Sequence, residues 1–151
     1  METTVVRRWR WKNFPVPESH LLPMAAATVL KFLVPKPIGK RGATRLTGWA
    51  LVIAGIMLAV GATRAAGAVA LELPDRLITS GAYARSRHPM YVAWTLIYCG
   101  VALVTGNLWL VILFPAMAGL THREVIREEQ ALHSAFGAEH DEYLSRVRRY
   151  F

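Results

Sequence analysis

Two groups of polar residues have types and spacings suited to chemistry. Arg85, Arg87 and His88 stand just before Pro89, and Glu128 and Glu129 stand side by side much later in the chain. Proline suits the first turn of a helix, where its missing N–H would have no intrahelical partner anyway. Arg87 and His88 therefore fall at a helix N-terminus, where the dipole and free N–H groups favour an anion such as a carboxylate or phosphate. The plainer alternative makes Arg85 and Arg87 topology charges and His88 a solvated loop residue. For the acidic pair, helical spacing of about 100° per residue puts Leu132 and Phe136 within about 20° of Val125. Glu129 falls near +40° and Glu128 near −60°, on or beside that apolar face. Buried carboxylates are costly unless paired. They either form an ion pair with Arg85 or Arg87, or bind a cationic ligand or hydroxyls. Basic groups at one helix end with carboxylates opposite suit a zwitterion, and an amino-acid moiety has the matching charges.

The elements that must position these groups read as membrane helices. Of the 151 residues, 54% are hydrophobic and 19% charged, against about 45–50% and about 25% in soluble domains. With mean hydropathy +0.29, the net charge of +8 suits an anionic membrane surface better than nucleic acid. The single cysteine, Cys99, excludes an intrachain disulfide and a thiolate metal site. Residues 1–20 mix Arg7, Arg8, Arg10 and Lys12 with Trp9, Trp11 and Phe14, as interfacial segments do. Pro15, Pro17, Glu18 and His20 follow where a signal peptide would need an apolar core.

Residues 21–120 are expected to hold four spans. Leu21–Val34 carries Lys31, which must snorkel. Leu46–Thr63 is free of charge, and its Gly48, Gly55 and Gly61 would admit a close neighbour. The uncharged run Met90–Leu120 is too long for one span. Thr105-Gly106-Asn107 reads as a turn splitting it into Tyr91–Val104 and Leu108–Leu120, with a tolerated Pro115. Thirteen Lys and Arg then share the side of both termini and the 64–89 loop, against four on the other side. The positive-inside rule makes the thirteen cytoplasmic. Residues 121–151 form an amphipathic cytoplasmic tail, with a stop at Gly137 and a second short helix over Glu139–Arg149. Arg146, Arg148 and Arg149 read as phospholipid-facing charges. The expected fold is all-α: one integral membrane domain over residues 1–151, with about four transmembrane helices and this tail.

The segment Gly81-Ala82-Tyr83 through Arg87-His88-Pro89-Met90-Tyr91 resembles a signature of the isoprenylcysteine carboxyl methyltransferase-like membrane proteins. The ending Glu128-Glu129, Leu132, Phe136-Gly137, Tyr143 and Val147 is similar to the tail of the same family. Phospholipid N-methyltransferases share the plan. The resemblance covers about Ala65 to Phe151 and implies an S-adenosylmethionine-dependent methyltransferase without a Rossmann domain. It implies a cofactor pocket closed by the tail and a lipophilic acceptor arriving from the bilayer. Carried over, Arg87, His88, Pro89 and Tyr91 line the methionine end. Glu128 and Glu129 face its ammonium or the ribose hydroxyls, and Tyr83 and Phe136 pack on the adenosine. Arg123 and Arg127 are the candidates for orienting a substrate carboxylate. The sequence departs from the family at Ala93, His140 and Val147-Arg148-Arg149, which touches substrate choice more than class.

Two rival readings keep the same elements. A membrane reductase of similar C-terminal plan needs more arginines around a nicotinamide cofactor's phosphate. A non-catalytic adaptor or degenerate relative would bind no cofactor. Nucleic acid is not an expected partner. No metal site is expected either: His20, His88, His122, His133 and His140 offer no ligand set, and the Gly137 break separates His133 from His140.

Overall fold

The computed structural model describes residues 17–35, 42–67, 69 and 76–150, and among these it is all-helical. The basic-aromatic stretch before Pro17, the Lys36–Arg41 part of the first loop and Phe151 lie outside the described residues. The helices are α1 (Glu18–Leu33), α2 (Gly42–Ala66), α3 (Pro89–Thr105), α4 (Leu108–Phe136) and α5 (Ala138–Arg146), with a 3-10 turn over Gly81–Ala84. α2 packs along α3 and α1 along α4, and α3 and α4 form a hairpin.

Glycine sets the α2–α3 spacing. A Cβ at Gly100 would lie 2.6 Å from the Gly48 carbonyl oxygen, and one at Gly55 would lie 2.7 Å from that of Ala93. Gly61 was expected to share this role, but it has no neighbour within 4 Å and takes no part in the contact. The expected Gly106-Asn107 turn is present. Gly106 closes α3 at φ +57°, a left-handed conformation that costs glycine nothing. Asn107 caps α4 by accepting from the Trp109 N–H at 3.1 Å. Its Nδ2 donates to the Ala27 carbonyl at 3.1 Å, and Trp109 Nε1 donates to that of Val34 at 2.8 Å. This hairpin therefore also anchors α1.

Two helices, α2 with 25 residues and α4 with 29, are long and apolar enough to cross a membrane. α1 and α3 have 16 and 17 residues. At about 1.5 Å per residue they reach about 25 Å, short of a hydrocarbon core of about 30 Å. Leu22, Phe32 and Leu46 stay exposed, as do Ile56 and Met57, as they would against lipid.

The expected division between a last span and a tail does not exist as a break. α4 runs without interruption from Leu108 to Phe136. Met117, Thr121 and Val125, spaced i, i+4, are all buried and carry one packed face across the expected boundary. Gly137 does stop the helix, at φ +48°. α5 is shorter than the expected second helix, and Val147 is already extended. The chain beyond it lies back against the start of α3: Arg87 N–H donates to the Arg148 carbonyl at 3.0 Å and Ser86 Oγ to that of Arg149 at 3.3 Å.

Candidate functional site

The charged residues of α4 begin at Arg123, past its apolar half, and there they meet the start of α3. Pro89 is the first residue of α3 and is fully buried. Ser86 Oγ accepts from the His88 N–H at 3.3 Å, an ordinary local cap that fixes the approach to the helix. His88 is consequently buried, with its ring between the two carboxylates. Nε2 lies 3.2 Å from Glu129 and Nδ1 lies 3.6 Å from Glu128.

Glu129 is the hub. Arg87 reaches it at 2.9 Å, and Arg149 donates Nε and Nη2 to it in a bidentate fork, the shortest contact being 2.7 Å. Burial alone would raise this carboxyl, but the Arg149 hydrogen bonds, the Arg87 charge and the His88 hydrogen bond outweigh it. Together they hold Glu129 below the ordinary carboxylate range. Glu128 is different. Its side chain is 41% exposed against 12% for Glu129, and Tyr91 hydrogen-bonds it. It therefore has oxygen lone pairs left for a ligand. Arg87 Nε is buried with no hydrogen-bond partner among the described residues.

Of the sequence candidates, the structure thus brings together Arg87, His88, Pro89, Tyr91, Glu128 and Glu129. Tyr83 is 9% exposed and belongs to the α2–α3 core with Ala59, Ala62, Met90 and Ala93. Its carbonyl accepts from the Tyr143 hydroxyl at 2.7 Å, and burial pushes that hydroxyl up to about 12. Phe136 is half-buried at the last residue of α4, about two turns beyond Glu129. Arg123 and Arg127 stand exposed on α4, outside the cluster, and Arg85 is exposed as well.

Sequence reasoning missed Arg149, expected to face phospholipid, because the pairing depends on the chain reversing after α5. Ser86 was legible in principle, as a hydroxyl two residues before a helix-opening His-Pro. The expectation that Gly137 separates His133 from His140 also fails. The turn folds α5 back so that the two rings lie 6.0 Å apart, and His133 Nδ1 meets Asp141 at 3.0 Å. These three side chains offer ligand atoms within 4.8 Å of one another. Burial, His133 and Arg87 together lower the His140 imidazole against the pull of Glu129 and Asp141.

Beside the charged cluster, between α3 and α4, lies a cavity of about 450 Å³. Tyr91, Val92, Leu96 and Ala118 give it an apolar wall, and Thr95 and Thr121 add hydroxyls. His122 and Tyr150, hydrogen-bonded at 2.9 Å, complete it on the tail side.

A helical bundle with apolar outer faces, a charged cluster at one end and an apolar cavity beside it has the make-up of a membrane protein. The chain belongs to the phospholipid methyltransferase family, whose model matches residues 43–139. It is thus a membrane methyltransferase by family. The match spans α2 to the start of α5 and includes the Tyr83–Tyr91 block and both glutamates, while α1 and Arg149 lie outside it. Comparison with curated proteins and with solved structures returns no match.

Proposed function

We propose that the protein transfers the methyl group of S-adenosylmethionine to a lipophilic acceptor drawn from the membrane. The observation that carries this is a buried donor without a hydrogen-bond partner, Arg87 Nε, in the same cluster as the part-exposed carboxylate of Glu128, both gathered around His88 and Glu129. These are opposite charges in one cluster, as a methionine zwitterion would need, and Tyr91, which hydrogen-bonds Glu128, lines the apolar cavity. The residues fit the cofactor: Arg87 would take its carboxylate, and Glu128 with Tyr91 its ammonium or ribose hydroxyls. Glu129 does not bind directly. It holds Arg87, His88 and Arg149 in place.

When bound, the cofactor supplies a methyl group on a sulfonium, already activated for displacement. The chain's own contribution is positional. Tyr91 and Thr95 stand on the α3 wall, and Ala118 and Thr121 on the α4 wall, of a slot that excludes water from an acceptor's reacting end. Tyr150 closes the slot on the tail side. Arg123 and Arg127 would orient a carboxylate acceptor as it approaches, which is the isoprenylcysteine-type O-methylation. The excess of Lys and Arg in the loops on that side supports a cytoplasmic position for this site and both termini.

The test is calorimetric binding of S-adenosylmethionine to the purified protein in detergent, with NADPH as comparison ligand. Binding of the sulfonium cofactor alone, weakened by Glu128→Gln and His88→Ala, is expected. NADPH binding without it would turn the assignment to a reductase. Binding of neither by folded protein would make it a non-catalytic adaptor.

A further inference from the structure

A second polar cluster lies at the turn between α4 and α5, outside the Glu129 hub. His133 is in the last turn of α4, and His140 and Asp141 are near the start of α5. The backbone fixes the turn: Gly137 N–H donates to the His133 carbonyl at 2.8 Å, and Asp141 N–H to the Gly137 carbonyl at 3.1 Å. The two rings stand edge to face with centroids 6.0 Å apart, and His133 Nδ1 meets Asp141 at 3.0 Å. One ligand atom from each of the three side chains lies within 4.8 Å of the other two.

His140 is what an ordinary surface turn leaves unexplained. It is 2% exposed, and its Nδ1 is buried with no hydrogen-bond partner among the described residues. Protonated, that nitrogen is a donor, and bare, it is an acceptor, so it is costly in either tautomer. His133 and Asp141 are 57% and 59% exposed, and an ion pair so open to water contributes little. Packing therefore holds one ligand still while the other two are free to move. A tetrahedral zinc ion, with bonds of about 2.0–2.1 Å, sets its ligand atoms about 3.4 Å apart. Closing from 4.8 Å to that spacing falls to the two exposed side chains. Coordination through Nδ1 gives the buried nitrogen of His140 its partner. The last carbonyls of α4, the negative end of its dipole, lie at the same turn.

We propose that His133, His140 and Asp141 bind one divalent transition-metal cation of the zinc type, with water completing its coordination. Two imidazoles and one carboxylate suit zinc and its neighbours, whereas magnesium and calcium take all-oxygen sites. The exposed His133 and Asp141 leave the ion a way in from water. Once bound, it ties α4 to α5 across Gly137. α5 leads directly into the extended chain that carries Arg149 to Glu129, so the ion braces the tail that completes the charged cluster. The family match ends at residue 139, before His140 and Asp141, so the site is read from this chain's own residues. It stands apart from the methyl-transfer reading and does not require it.

The test uses the full chain in detergent, stripped with a chelator, and Zn²⁺ itself as the calorimetric probe. One Zn²⁺ per chain is expected to bind and to raise the melting temperature, and excess Mg²⁺ should not compete. Co²⁺ in its place should give the visible absorption of a tetrahedral nitrogen–oxygen centre. His133→Ala and Asp141→Asn, both at exposed positions, should fold as wild type and weaken Zn²⁺ binding at least about tenfold, the least that even a ligand's outer-shell partner costs. His140→Ala should abolish binding, and because that buried change can also unfold the chain, the two exposed positions decide the matter. Wild-type Zn²⁺ affinity in both exposed variants would place the ion on other histidines and overturn the site. So would a folded wild-type chain that binds no Zn²⁺, or one from which Mg²⁺ displaces it equally well.

Discussion

Glu128 and Glu129 are neighbours in sequence with opposite duties. Glu129 is consumed by Arg87, Arg149 and His88, so removing its charge leaves two guanidinium groups facing each other. Breaking a buried pair typically costs about 3 kcal/mol or more. Glu129→Gln is therefore expected to lower the melting temperature and, through Arg87, to weaken cofactor binding. Glu128→Gln should leave the melting temperature within a degree or two and lower cofactor affinity about tenfold or more, as loss of a hydrogen bond to a charged group does. Equal melting temperatures in the two variants would contradict this division. The pH dependence has a definite sign. Because the folded Glu129 carboxyl lies below its ordinary value of 4.5, its stabilisation is complete at neutral pH. It is lost as pH falls through the lowered value, where the folded carboxylate must take up a proton. Melts of wild type and Glu129→Gln should thus differ most near pH 7 and converge in acid. Helical spacing alone placed both carboxylates on or beside the packed face. What it could not supply was Arg149, because no periodicity encodes a reversal of extended chain after α5.

Local breakers were the most legible elements, and their effects are steric and testable. Pro89, Gly106-Asn107 and Gly137 each end or begin a helix where the sequence says they should, since each acts through its own backbone. Continuity was less legible. The Leu120–Thr121 boundary was inferred from a change in hydropathy, but hydropathy does not interrupt hydrogen bonding, and the Met117–Thr121–Val125 face carries α4 through it. Glycines were legible as small but not as to which of them meet a neighbour. Gly100 and Gly55 lie against backbone oxygens that cannot swing aside, and Gly61 lies against nothing within 4 Å. Gly100→Leu and Gly55→Leu are therefore expected to destabilise by about 1–3 kcal/mol or more through overpacking. They should also reduce cofactor binding, because α3 carries Tyr91. Gly61→Ala should be neutral or slightly stabilising through helix propensity. A melt of Gly61→Ala as low as that of Gly100→Leu would mean that α2 packs by another face.

At the scale of the whole molecule, every proposed binding group must lie on one side of the membrane. Arg87, His88, Glu128, Glu129 and Arg149 cluster at one end of the bundle, and the Asn107 end, where α1 meets α4 through Trp109, lies opposite. α2 and α4, the two helices long enough to cross, join these ends. The excess of Lys and Arg at the charged end then predicts its side, because cytoplasmic loops retain those residues. Cysteine labelling tests this directly, since Cys99 is the one native thiol and Cys99→Ser gives a blank background. Ser134→Cys, exposed near the end of α4, should react with a membrane-impermeant maleimide only in inside-out vesicles. Gly42→Cys, exposed at the first residue of α2 and ahead of the Leu46–Thr63 span, should react only in right-side-out ones. Reversal of both would put the methyl-donor site on the face away from the cytosolic cofactor supply, a location that the proposed chemistry could not survive. Labelling of both from one side would show that α2 does not cross the bilayer.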